Sequence, residues 1–240
     1  MKKLLLLLGL LCLPSFAQIA RNNKLDLGTT TGTSLTTSYT VGSGANRILF
    51  VGVSGNTCCG GDLITGVTDV TSSAAFTLIG RQPAGASRYT SFWYLLDPPS
   101  GANTITVSAS ASSFISAGGA DYSGAKQSGQ PDASNPSTNP AANSETVSLT
   151  TVANNSWIIL FGGAYSGGPC PTAGTGDTLL TCDATYGIWG IFDSNGPVSP
   201  GSNSFTINQS GASLPYNNVM ASFAPATASA PHIRHQVTNN

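Results

Sequence analysis

The sequence predicts an all-β protein, a single two-sheet β-sandwich of roughly twelve strands. Three observations carry this. Apolar and polar residues alternate with period two in many short segments. Other short runs are apolar at every position and suit strands covered on both faces. No stretch sustains the i, i+3, i+4 spacing of an amphipathic helix, and Gly or Pro interrupts every candidate.

The elements follow in chain order. Lys2 and Lys3 precede an apolar run from Leu4 to Leu13, and Ser15-Phe16-Ala17 is a small-x-small cleavage site. The run is about ten residues, half of what spans a bilayer. Residues 1–17 therefore read as an export signal. Cys12 follows Leu11 where a lipobox needs a small residue, so lipidation is not expected.

Leu35, Thr37, Tyr39 and Val41 share one parity, with Thr36, Ser38 and Thr40 on the other. Ile48 to Val51 form a doubly apolar strand, as do Phe92 to Leu96 and Trp157 to Phe161. Asp97-Pro98-Pro99-Ser100-Gly101 is a turn, because proline fixes φ and glycine admits positive φ. Ile105 and Val107 alternate with Thr104, Thr106 and Ser108. Val147 and Leu149 repeat the pattern with Thr146, Ser148 and Thr150, and Phe205 and Ile207 with Ser204, Thr206 and Asn208. Val219, Ala221 and Phe223 close the series.

Residues 124–145 break the rhythm. They are polar and rich in Pro, Ser and Asn, and read as a long crossover loop within one domain spanning 18–225. Residues 226–240 read as a flexible tail. The segments 46–58 and 155–170 share an order: Asn, an apolar strand, small residues, then a Gly-bearing loop with Cys. This suggests similar roles for the two strands and places their Cys loops at one end of the fold.

A resemblance rests on Trp93, Leu95, Pro98, Gly101, Thr104 and Val107, on Tyr122-Ser123-Gly124, and on Met220-Ala221-Ser222-Phe223-Ala224. Over most of 27–225 the chain resembles a group of uncharacterised exported bacterial β-sandwich domains. The group is similar in architecture to jelly rolls and carbohydrate-binding modules. The resemblance implies that the two-sheet sandwich is jelly-roll-like, and it carries no catalytic motif. The chain departs from many such domains in having four cysteines after residue 17.

Composition narrows the function. Of 240 residues only 8% are charged, with 9 Lys+Arg against 10 Asp+Glu, while 40% are hydrophobic. Without a basic excess, no nucleic-acid partner is expected. No further apolar run reaches membrane length, so no transmembrane anchor is expected. Cys58, Cys59, Cys170 and Cys182 are disulfide candidates in an exported chain. Two arrangements stand level: bridges between the 58/59 loop and Cys170 and Cys182, or Cys170–Cys182 beside a strained Cys58–Cys59 ring.

His232 and His235 lie in the tail, and no G-x-S-x-G elbow is present. Glu145 is the one glutamate and sits at the linker edge; Asp97 and Asp121 belong to a turn and a strand end. Asp62 and Asp177 read as solvated loop aspartates. No metal site, cofactor or catalytic set is expected. Tyr165, Tyr186 and Trp189 lie in or beside loops of the cysteine end, where aromatic faces stack on sugars, and form the candidate ligand surface; Tyr216 lies in similar surroundings. The expectation is a non-catalytic secreted or cell-surface module for adhesion, glycan binding or surface structure, partnered by glycans or surface proteins. The alternatives are a polysaccharide-active hydrolase and a subunit of an extracellular filament.

Overall fold

A computed structural model describes residues 18–56, 62–84, 88–164, 169–185, 188–209 and 214–227. Among them there is no helix. The strands are β1 (Ala20–Val41), β2 (Ile48–Asn56), β3 (Ile64–Asp69), β4 (Ala74–Ala75), β5 (Thr77–Ala84), β6 (Arg88–Leu96), β7 (Gly101–Ser123) and β8 (Ala133–Ala142). They continue as β9 (Ser144–Thr151), β10 (Trp157–Ala164), β11 (Thr172–Ala173), β12 (Thr178–Asp183), β13 (Ile188–Asp193), β14 (Gly201–Asn208) and β15 (Leu214–Phe223). The all-β expectation holds. The strands form three sheets where two were expected.

The first sheet runs β4-β3-β7-β2-β6-β5, with β1 paired along β7. The β1–β7 ribbon bends at its middle, where the register jumps between Gly32↔Ser113 and Ser34↔Ser108. Such an irregularity bends a strand pair sharply. The ribbon doubles back until the two ends of β1 meet. The Asn23 amide donates to the Thr40 carbonyl at 3.0 Å, and the Tyr39 hydroxyl lies 2.9 Å from the Asn23 carbonyl. The sheet thereby encloses its own core, with Leu49, Val51 and Val53 of β2 facing Leu35, Val67, Ile105 and Val107.

The opposite face of β2 carries Ile48 and Phe50. It packs on the second sheet, β12-β13-β10-β15-β8, through Trp157, Ile159, Phe161 and Phe223. The far side of that sheet, with Ile158, Leu160 and Met220, packs on the third, β11-β14-β9, through Val147, Leu149, Phe205 and Ile207. The doubly apolar segments of β2, β6 and β10 are thus central strands. β15, whose alternation suggested one wet face, is also covered on both, because Met220 and Ser222 are as buried as Val219 and Ala221.

The polar stretch 124–145 contains a strand. β8 occupies Ala133–Ala142 and pairs with β15 at the edge of the second sheet. Its composition misleads because Pro136 lacks a donor, which an edge strand tolerates and a central strand does not.

The pairings reveal an internal duplication. β2–β6, β2–β7, β5–β6 and β3–β7 recur as β10–β13, β10–β15, β12–β13 and β11–β14. The two halves of β1 correspond to β8, on β15, and β9, on β14. Turn details recur with them. Asn46 and Asn155, just before β2 and β10, have φ of 57° and 59°. Gly101 and Gly201 have φ of 94° and 124°, a region where glycine escapes the Cβ penalty. Two residues on, the Asn103 amide donates to the Pro99 and Gly101 carbonyls at 2.8 and 2.9 Å. The Asn203 amide does the same to Ser199 and Gly201 at 3.2 and 3.0 Å. The shared order of 46–58 and 155–170 is the visible trace of this repeat.

Candidate functional site

β2 and β10 run in the same direction across the central interface. Tyr122, the partner of Ile48 on β7, rests on Trp157 with ring centroids 5.4 Å apart, and Gly52 lies against the Phe161 ring. Their C-terminal ends therefore meet at one end of the layered sheets. The Cys170–Cys182 disulfide lies at this end and links the segment before β11 to β12, with Cα atoms 6.0 Å apart. That bridge removes the arrangement in which Cys170 and Cys182 pair with the 58/59 loop. Cys58, Cys59, Tyr165 and Tyr186 lie outside the described residues.

Trp189 corrects the expectation of an exposed aromatic. It is fully buried, and its indole N–H donates to the Ser116 hydroxyl at 2.6 Å. Its ring fills space that Gly118 leaves open and lies 5.7 Å from the Phe161 centroid. The sequence placed it beside a loop; β13 carries it into the central interface instead. A ring held on both faces offers none to a sugar.

Beneath the same end lies a polar cluster that the sequence reading dispersed. Glu145 of β9 and Gln209, just after β14, face inward from the third sheet. Tyr216 and Asn218 of β15 face them from the second. Their exposures are 5%, 3%, 1% and 0%. The Asn218 amide donates to Glu145 Oε1 at 2.7 Å. Asn218 Oδ1 fits because Gly162 has no side chain to displace it. Burial, and after it the Glu145 charge, push the Tyr216 phenol up to about 12. Glu145, which the sequence places at the linker edge, is an inward-facing residue of β9. The signal available was its parity: it precedes Val147 and Leu149 on the inward face of β9.

The other described carboxylates serve as local staples. Asp121 is fully buried and accepts from the Tyr39 hydroxyl (2.8 Å), the Asn22 amide (3.0 Å) and the Asn23 and Gly42 N–H groups (3.1 and 2.9 Å). It locks the start of β1 to the loop after its end. Asp132 does similar work in the second half, accepting from Ser222 (2.6 Å), Ser156 (3.2 Å) and Ala153 N–H (3.2 Å). Asp193 joins the halves by accepting from Tyr122 (2.9 Å) and Arg21 (3.1 Å). Asp62 pairs with Arg81 at 2.9 Å, and Asp177 accepts the Thr206 N–H at 3.2 Å.

Hydroxyls line the outward faces of the two outermost layers, and by strand pairing Thr36–Thr106 and Ser38–Thr104 occupy the positions of Thr146–Thr206 and Ser148–Ser204. On one, Ser34, Thr36 and Ser38 stand opposite Ser108, Thr106 and Thr104. On the other, Thr146, Ser148 and Thr150 stand opposite Thr206, Ser204 and Ser202. Thr36–Thr106 and Thr146–Thr206 are hydrogen-bonded at 2.9 and 3.3 Å. None of these positions carries a charge.

No family model, curated protein or solved structure matches this chain.

Proposed function

We propose that the chain is a non-catalytic exported module that works outside the cytoplasm in adhesion, glycan binding or surface structure. Its architecture is read as β-sandwich and jelly-roll-like, in two copies joined back to back. The observation that carries the reading is the pair of uncharged, hydroxyl-lined outer faces. The duplicated halves differ inside but keep Thr36–Thr106 and Thr146–Thr206 outside. Across a strand pair these hydroxyls recur about every 4.8 Å, and along a strand about every 6.8 Å. A neutral, repeating, hydroxylated polymer complements such a face without charge pairing. The local use of Asp121, Asp132 and Asp193 as hydrogen-bond acceptors supports a non-catalytic role. The Cys170–Cys182 bridge is compatible with an oxidising, extracytoplasmic location.

The test is co-sedimentation of the mature protein with insoluble neutral polysaccharides. Wild type is expected to sediment with at least one polymer, and the Thr106→Lys/Thr206→Lys double variant to lose that binding by about tenfold or more, roughly the 1.4 kcal/mol that one disrupted contact supplies. Binding that survives both substitutions removes the faces from the reading. Absence of binding, together with concentration-dependent self-association, transfers the proposal to surface structure.

A further inference from the structure

We infer that Glu145, Gln209, Tyr216 and Asn218 form a cation site, and that it takes calcium. The first argument is the internal duplication. By strand pairing, these four positions correspond to Leu35, Ala109, Ile115 and Ala117 in the first half. There the four side chains join or pack against an apolar core. The fold therefore closes this end of its layers without polar groups. The second half has replaced four apolar side chains by a carboxylate, two amides and a phenol at one spot. Such a set costs stability unless something satisfies it.

The second argument is which atoms remain open. Gln209 Oε1, Tyr216 Oη and Asn218 Oδ1 are buried and make no hydrogen bond. The Asn218 nitrogen is already committed to Glu145. What the cluster presents inward is therefore oxygen, the ligand type of hard cations, with no sulfur or imidazole to favour a softer metal. Calcium accepts six to eight oxygens in irregular geometry, whereas magnesium demands a near-ideal octahedron and gives up water reluctantly. A buried cluster of mixed amide, phenol and carboxylate oxygens suits the former. Two ligands come from the third sheet and two from the second, so the ion clamps those layers together beside the Cys170–Cys182 bridge. With one carboxylate the affinity belongs to the weak extracellular range, about 10⁻⁴–10⁻³ M. Among the described residues no group of three or more His, Cys, Asp or Glu is placed to hold a metal ion, so this site depends on amide and phenol oxygens beside its single carboxylate.

Thermal unfolding of the mature protein, treated with chelator and then titrated with calcium to about ten times the top of that range, tests the site. The wild-type midpoint is expected to rise by several degrees, with one ion bound per chain by calorimetry. Glu145→Gln should weaken binding at least tenfold. The variant E145L/Q209A/Y216I/N218A, which carries the first half's residues, should keep its β spectrum and lose the calcium response. If that variant does not fold, Glu145→Gln alone decides. A midpoint identical in calcium and chelator overturns the site, and so does a response that persists in Glu145→Gln. The outer-face reading does not depend on calcium, so polysaccharide co-sedimentation in chelator separates the failure of one from that of the other.

Discussion

Substituting Gly118 by alanine puts a methyl group where the Trp189 ring lies. Built on the present backbone, that carbon sits closer than 3.0 Å to Cζ3 and Cη2 of the indole and 3.3 Å from Ile191 Cδ1. Neither side can give way easily. Gly118 pairs with Gly52 on β2 and with Asp26 on β1, so ladders on both flanks hold its backbone. Trp189 is tethered by its bond to Ser116 and packed against Phe161. Overpacking of this kind costs about 1–3 kcal/mol, and the tethering puts Gly118→Ala at the upper end. For a chain of this length that lowers Tm by roughly 4–12 °C. Calorimetry of wild type, Gly118→Ala, Trp189→Phe and the double variant measures it. In the double variant the shorter ring leaves room for the methyl, so the cost of Gly118→Ala should fall by at least about 1 kcal/mol, a coupling expected of residues in contact. A Tm shift for Gly118→Ala within about 1 °C of zero would refute the packing account. An equal cost in both backgrounds would place Trp189 elsewhere, and an exposed ligand-facing ring would again be possible.

Other outcomes follow from the same structure. Asp121→Ala removes the acceptor of four donors, of which the Tyr39 hydroxyl is buried and the Asn22, Asn23 and Gly42 groups can turn to water, so guanidinium unfolding should show a loss of about 1–3 kcal/mol; a loss below about 0.5 kcal/mol would contradict the staple. Cys170→Ser/Cys182→Ser opens a loop of sequence separation 12 and should cost about 3 kcal/mol in the chain-entropy account, read from the same titration. Burial is the largest influence on the Asp193 carboxyl and outweighs the opposing bonds from Tyr122 and Arg21, holding it above its usual 3.8. A carboxyl raised in the folded state binds its proton longer there than in the unfolded chain, so its contribution to stability is lost as pH rises from 3.8 through the folded value. The stability difference between wild type and Asp193→Asn should therefore shrink as pH climbs through that window, by urea midpoints; a widening difference reverses the sign and the argument with it.

The sequence by itself determined the class of structure. Thr, Val, Ile and aromatic residues alternating between turns leave the chain no helical face to bury, and the runs at Ile48, Phe92 and Trp157 require cover on both sides. Those features are local, one residue wide on each face of a strand, so they survive in a linear reading. Which strands pair is not local. Only one stretch of the repeat, the shared order of 46–58 and 155–170, shows in the sequence; the rest lies in the match of β2, β6 and β7 to β10, β13 and β15, because pairing constrains burial and turn geometry far more than side-chain identity, and Ile48 and Trp157 share a position and little else. For the same reason Trp189, in a Gly-bearing segment, reads as a loop aromatic although β13 delivers it into the central interface. Glu145 reads as a linker-edge residue because its neighbours along the chain are Asn143 and Ser144. Its neighbours in space are Asn218, 73 residues further along the chain, and Tyr216, which only the stacking of the second and third sheets brings to it. A polar cluster assembled from two sheets has no sequence spacing to betray it, since each strand contributes one or two residues and the energy that unites them belongs to the packing of layers.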